Sequence, residues 1–345
     1  MMQVSRTMFR STVSRHRGGL SAVLAKTTVM DRWCAIPNKG RCYKDCEYFN
    51  LVPRCVSSST GHHDVQQLSK VVGSAEEALG TDLKSGQMVA IGGFGLGGIP
   101  ETLLQEVARR KDVQNLTIAS LTASVDGFGI GLLLESEGKV KRIMSSYVGE
   151  NKTLERRFFG GDLEVELVPQ GTLAARWRAA GSGMPAFFTP TGAGTIYAHG
   201  GVPLRYSRET PMQVDLASLP KTVQVFGGQE YVMEESLPAD VSLVKAYKAD
   251  TRGNLVFRGT SRNANPDVAM AGKVCIAEAE HIVEAGQLQP DEIHLPGVYV
   301  DKVIHSKCNE KRIERLRMKE TETAVQQFTG GRARIMRRAA KEFKT

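Results

Sequence analysis

The stretch "MVAIGGFGLGGIPETLLQEVARR" at 88–110 constrains this chain more than any other. Four apolar residues run into a G-x-G-x-x-G made of Gly93, Gly95 and Gly98, after which Leu103, Leu104 and Val107 recur at helical spacing. A strand that turns through glycines straight into a helix is half of a βαβ unit, and repeated units of this kind build a parallel sheet. The rhythm continues downstream. "NLTIAS", "RIMSSYV" and "LEVELVP" read as strands, and "IGLLLESEGKV", "NKTLERRFFGG" and "GTLAARWRAAGSG" as helices. Upstream, "SAEEALGTDLKSGQ" reads as a helix closed by a turn at Ser85 and Gly86. The later segments, from "TVQVFGGQEYVMEES" to "EIHLPGVYVDKVI", are richer in strands. The pattern predicts an α/β domain over 66–318, with a mostly parallel open sheet flanked by helices and additional antiparallel strands.

The glycine motif invites a dinucleotide reading, which needs glycines for the turn, a helix N-terminus for the pyrophosphate and an acid about twenty residues on for the ribose. Pro100 removes one free amide from the first turn, and Glu101 puts negative charge where a pyrophosphate would sit. The following strand ends "SLTAS" with no carboxylate. What remains is either a packing turn or a backbone-amide loop able to approach a substrate closely, suited to holding an oxyanion or thioester carbonyl.

Charge and cysteine usage narrow the partners. The net charge is +8, but residues 1–63 carry ten Lys/Arg against three Asp/Glu, and residues 311–345 eleven against four. The body between them is acidic, which excludes the basic face expected of a nucleic-acid binder. No run approaches the roughly 18 apolar residues of a spanning helix, so no membrane partner is expected. The first thirty residues carry Arg6, Arg10, Arg15, Arg17 and Lys26 with many Ser and Thr and no acid before Asp31. That composition reads 1–65 as a mitochondrial transit peptide and leader, and places the protein in the mitochondrial matrix. Cys34, Cys42, Cys46 and Cys55 lack paired C-x-x-C spacing, and His199 and His294 lack ligand-spaced partners, so no metal site is expected. Trp177 and Phe187–Phe188 read as core.

"SGQMVAIGGFGLGGIPE" resembles the first signature of the family I CoA-transferases: a small turn, three apolar residues, G-G-F, three residues, then G-x-P. Ser85 stands where that family usually has Asp or Asn. "SSYVGEN" (145–151), "LEVELVPQGTLAAR" (163–176), "GMPAFFTPTGAGT" (183–195), "LVKAYKAD..GN" (243–254) and "EKRIERLRMKE" (310–320) resemble, in order, the A half of the 3-ketoacid CoA-transferases. The resemblance covers about 66–345.

It implies CoA transfer from succinyl-CoA to acetoacetate, with a CoA thioester as substrate and no permanently bound cofactor. A glutamate attacks the thioester, giving a mixed anhydride and then an enzyme–CoA thioester. That nucleophile belongs to an S-E-N-G motif of the B half, which this chain lacks, so no catalytic nucleophile is assigned here. The expected partner is a B-half chain or domain, in a homo- or hetero-oligomer. The resemblance gives the substrate-binding or oxyanion loop as Gly93, Phe94, Gly95 and Gly98 with Gln170, and further pocket candidates in Glu150, Gly192 and Gly194. "KETETAVQQFTGG" (319–331) reads as a linker, and "RARIMRRAAKEFKT" (332–345) resembles the opening helix of a B half, cut short.

Two departures stand out. Leu121, Thr122, Ala123 and Ser124 occupy positions where the family usually has Asn-Asn-Ala-Gly, and Ala264 stands where an aromatic is common. They leave room for a different reading, a non-catalytic remnant acting as a binding or regulatory protein. A sugar-phosphate isomerase would need a base and a phosphate clamp, and neither is arranged in the sequence.

Overall fold

The computed structural model describes residues 69–309 and 330–342. The expected leader over 1–65 and most of the expected linker over 319–331 lie outside the described residues.

The chain alternates strand and helix as far as α5. α1 (Ala75–Leu79) leads to β1 (Met88–Ile91), α2 (Glu101–Arg109), β2 (Leu116–Ala119), α3 (Ile130–Leu134), β3 (Val140–Ser145), α4 (Lys152–Phe159), β4 (Glu164–Leu167) and α5 (Gln170–Gly181). β5 (Ala186–Thr189), α6 (Ile196–His199), β6 (Pro203–Tyr206), β7 (Val214–Ala217), β8 (Val223–Phe226) and β9 (Gln229–Glu235) follow. Then come β10 (Ala239–Asp250), β11 (Leu255–Val256), α7 (Asn265–Ala271), β12 (Gly272–Val283), β13 (Lys302–His305) and α8 (Gly330–Ala340). α1 and α3 are shorter than their sequence patterns. Gly80 at φ +38° ends α1, and α3 gives way to a turn through Lys139, with Val140 already the first residue of β3. α8 begins two residues before the expected helix start.

The main sheet runs β13-β12-β10-β1-β2-β3-β4, all neighbours parallel, with β11 antiparallel on β10. The late strands β10, β12 and β13 therefore complete the parallel sheet. The antiparallel additions are the β5-β9-β8 sheet and the β6-β7 pair. From β1 the chain first lays strands to one side, through β4, and later to the other, from β10 outward. β1 and β10 thus flank the switch point, and in open α/β sheets ligands bind in the crevice beyond the strands' carboxyl ends there.

Side-chain size alternates along the strands and sets the two faces. Val89, Ile91, Ile118 and Ile143 pack under α1 to α4 with Leu79, Leu103, Leu133 and Leu154. The small Ala90, Ala119, Ala246 and Ala277 face the other way, where Leu173 and Trp177 of α5 and Val268 of α7 come in close. Trp177 is core, as expected. Phe188 is not: it is 41% exposed and meets Phe226 edge-to-face at 5.2 Å.

Candidate functional site

The glycine loop emerges from the carboxyl end of β1 as a tight hairpin. Phe94 and Gly97 exchange both backbone hydrogen bonds at 3.0 Å, with Gly95 and Leu96 at the tip. Gly93, Gly95 and Gly98 have φ of +121°, +60° and +68°, the left-handed region in which an L side chain is strained. The amides of Gly95, Leu96 and Gly98 carry no hydrogen bond among the described residues. Phe94 stands out from the tip, 47% exposed.

Two asparagines hold this hairpin, and the sequence reading passed over both. Asn263 Oδ1 accepts from the Gly93 amide at 3.3 Å, and its Nδ2 donates to Gly97 O at 3.3 Å. Asn265, wholly buried at the start of α7, donates to Gly98 O at 3.0 Å and Ser261 O at 2.9 Å. Its Oδ1 accepts from the Lys245 amide at 3.0 Å, joining the loop to β10 across the switch point. The signal available was the paired Asn in "SRNANPD", residues that favour tight backbone turns, just before a proline at a helix start.

The helix behind the loop offers no cradle for a phosphate. Glu278 of β12 already occupies the first turn of α2, accepting from the Thr102 hydroxyl at 2.9 Å and the Leu103 amide at 3.1 Å. A second anion there would meet a buried carboxylate, so the dinucleotide reading fails on geometry as well as on sequence.

Leu121–Ser124 continues β2 and is buried throughout. Ser146 donates to Leu121 O through both its amide, at 3.2 Å, and its hydroxyl, at 2.6 Å, and the Ala123 amide donates to Tyr147 O. Leu121 packs in the core beneath α5 and α7. The Thr122 hydroxyl donates to Gly95 O at 3.4 Å, so this segment touches the glycine loop directly. Ser124 has φ +56°, a left-handed position suited to glycine.

Glu150 is exposed, at φ +65°, in the turn after β3 and just before Asn151, which caps α4. Gln170 is exposed at the first position of α5, after β4. Both therefore stand beyond carboxyl ends of parallel strands, on the same end of the sheet as the glycine loop. Gly192 and Gly194 lie apart from that set in the β5–α6 loop, at φ +86° and +70°, and the nearest atoms to a Cβ on Gly192 are those of the Tyr197 ring.

Other reactive groups are accounted for by packing. Burial pushes the Cys275 thiol up to about 12, which removes it as a nucleophile at neutral pH. His294 Nδ1 accepts from the Phe257 amide at 3.0 Å, a structural role. Among the described residues no group of three or more His, Cys, Asp or Glu could hold a metal, and no helix is long and apolar enough to cross a membrane. A groove of about 1110 Å³ lies at the opposite, amino end of β3 and β4, and much of its charge is already paired, as in Arg205 with Glu164 and Asp215. A smaller cavity of about 120 Å³, lined by Lys245, Tyr247, Phe257, Arg258, Ser261 and others, adjoins the residues that prop the glycine loop.

An open parallel sheet with a glycine hairpin at its switch point defines the class, and the sequence agrees. The family model described as coenzyme A transferase matches residues 72–306, and this chain belongs to that family. Within the family it is 49% identical over 246 residues to the A-type subunit of a succinyl-CoA:3-ketoacid coenzyme A transferase from Xanthomonas campestris, covering 71% of this chain and 93% of that one. It is 47% identical over 263 residues to human succinyl-CoA:3-ketoacid coenzyme A transferase 2, mitochondrial, covering 76% of this chain. The chain spans about half the length of that mitochondrial relative, 50%. Glutaconate coenzyme A-transferase from Acidaminococcus fermentans shares the fold, with a TM-score of 0.57 at 23% identity over 69% of this chain and 76% of that one.

Proposed function

We propose that this chain is the A half of a 3-oxoacid CoA-transferase, moving CoA from succinyl-CoA to acetoacetate once a B half supplies the nucleophilic glutamate. The observation that carries the reading is the glycine hairpin at the switch point, whose Gly95 and Leu96 amides carry no hydrogen bond among the described residues, with asparagine props on both sides. Donors fixed in this way cost no reorganisation when a thioester carbonyl gains negative charge. Gln170 and Glu150, at the same end of the sheet, would line the acyl pocket. The B half's carboxylate would attack the thioester carbonyl and expel CoA thiolate. The thiolate would then attack the glutamyl carbonyl of the mixed anhydride and release succinate, leaving CoA on the glutamate for acetoacetate to take over. The Arg-rich, acid-poor N-terminus favours a site of action in the mitochondrial matrix.

One observation favours a second reading, a non-catalytic A half that binds or regulates an intact transferase. Leu121–Ser124 offers the loop a buried leucine and a hydroxyl already engaged with Gly95 O. Losing a catalytic oxyanion donor costs roughly 10²–10³-fold in rate. Assaying succinyl-CoA and acetoacetate exchange separates the two. Turnover in a mixture with a B half, and none from either part alone, supports the transferase. Stable association with the B half and no turnover supports the regulator.

A further inference from the structure

We propose that the buried Lys245–Glu278 pair is a latch, making the glycine loop and the segment by which the chain leaves β13 hold and release together. The two side chains, 4% and 0% exposed, are register partners on β10 and β12 and meet at 2.9 Å. Neither is needed for the chemistry proposed above. Each instead faces a different part of the chain.

Glu278 faces the loop side. Its carboxylate anchors Thr102 and Leu103 in the first turn of α2, which starts three residues after Gly98. Lys245 faces the exit side. Its ammonium donates to Cys308 O at 2.8 Å, Asn309 Oδ1 at 3.1 Å and Ser306 Oγ. Two further bonds close the circuit: the Ser306 hydroxyl donates to Glu278 Oε1 at 2.6 Å, and the Lys307 amide donates to Thr102 Oγ1 at 3.1 Å. The Lys245 backbone amide also binds Asn265, the prop of Gly98. The loop and the exit segment are therefore joined through one ion pair by side chain and by main chain.

A buried charge that loses part of its coordination is costly, so half-open states are sparsely populated. Peeling away 306–309 would strip Lys245 of its exit-side acceptors, loosen Glu278 and free the turn that fixes the glycine loop. The coupling runs equally in the other direction, since two sites biasing one element must affect each other by the same factor. Whatever pulls on the exit segment acts on the loop, and a ligand that orders the loop orders the exit. This coupling does not depend on what the loop binds.

Hydrogen exchange on the full chain tests it without any activity measurement. In Ser306→Ala/Asn309→Ala, exchange at the Phe94, Gly97 and Leu103 amides should quicken by about tenfold or more, within the range of ordinary couplings. Acceleration confined to 306–309, with the loop amides within about twofold of the parent, would overturn the latch. If that variant fails to fold, Thr102→Val asks the question from the other side. It should quicken exchange at the Ser306 amide, which binds Ala279 O and not Thr102. An unchanged Ser306 amide would sink the proposal.

Discussion

Asn265 Oδ1 lies 1.8 Å from the place a Cβ on Gly92 would take, so these two residues can coexist only while position 92 is glycine. That contact fixes the start of the loop. Gly92→Ala should push Asn265 out of its bonds to Lys245, Gly98 and Ser261, and Asn265→Ala should leave the Lys245 amide and Gly98 O without their partner and Ser261 O with Asn263 Nδ2 alone. Each is expected to destabilise by about 2–4 kcal/mol. In a domain of this size that lowers Tm by roughly 5–15 °C. A thermal melt of either variant within about 2 °C of the parent would contradict the account of how the loop is held.

Ser124 at φ +56° sits where the backbone favours glycine, and its hydroxyl recovers little, accepting from the Ile130 amide at 3.4 Å. Ser124→Gly is expected to stabilise by up to about 1 kcal/mol, the relief of left-handed strain outweighing the extra freedom of the unfolded chain. Denaturant unfolding at constant m-value measures it. A loss of stability would show that the hydroxyl contributes more than its distance suggests.

Asp126 accepts from the Thr153 amide at 2.9 Å and the Lys152 amide at 3.1 Å. The bonds to Thr153, backbone first, hold its carboxyl below the usual aspartate value of 3.8. A depressed folded-state pKa adds stability that is present above that value and is lost as pH falls through the folded one. Asp126→Asn should therefore flatten the acid limb of Tm against pH below about 4. An acid limb identical to the parent's would remove Asp126 from the capping of α4.

Cys275, wholly buried with its thiol pushed up to about 12, should resist alkylation in the native protein at pH 8 and react once the chain unfolds. Peptide mass spectrometry after iodoacetamide treatment reads this directly. Rapid native labelling of the Cys275 peptide would mean that the sheet opens at β12.

Much of this was legible in the sequence, because local pattern and local structure share their periods. The strand–glycine–helix unit at 88–109 and the alternation through α5 are written in residue spacing. The placement of β10, β12 and β13 was not, since Lys245 and Lys248 in β10 and Glu278 and Glu280 in β12 interrupt the continuous apolar run that marks a parallel strand, and the partner is a long-range fact. The site divided along the same line. Gly93, Gly95 and Gly98 stood out because positive φ selects glycine at those positions. Asn263 and Asn265 act from roughly 170 residues away in the chain, and only folding brings them to the loop. The meaning of Leu121–Ser124 also needed the fold, which buries the segment against the loop and engages Thr122 with Gly95.

The central claim, half a transferase site awaiting its nucleophile, is tested most directly by locating the covalent CoA. With succinyl-CoA and no acceptor acid, borohydride reduction or peptide mass spectrometry of the mixed halves should find the thioester on the B-half S-E-N-G glutamate, and none when either half is incubated alone. A thioester on this chain, with Glu150 the candidate because "GENK" at 149–152 is the string nearest to S-E-N-G, would contradict the division of labour and make the chain a nucleophile in its own right.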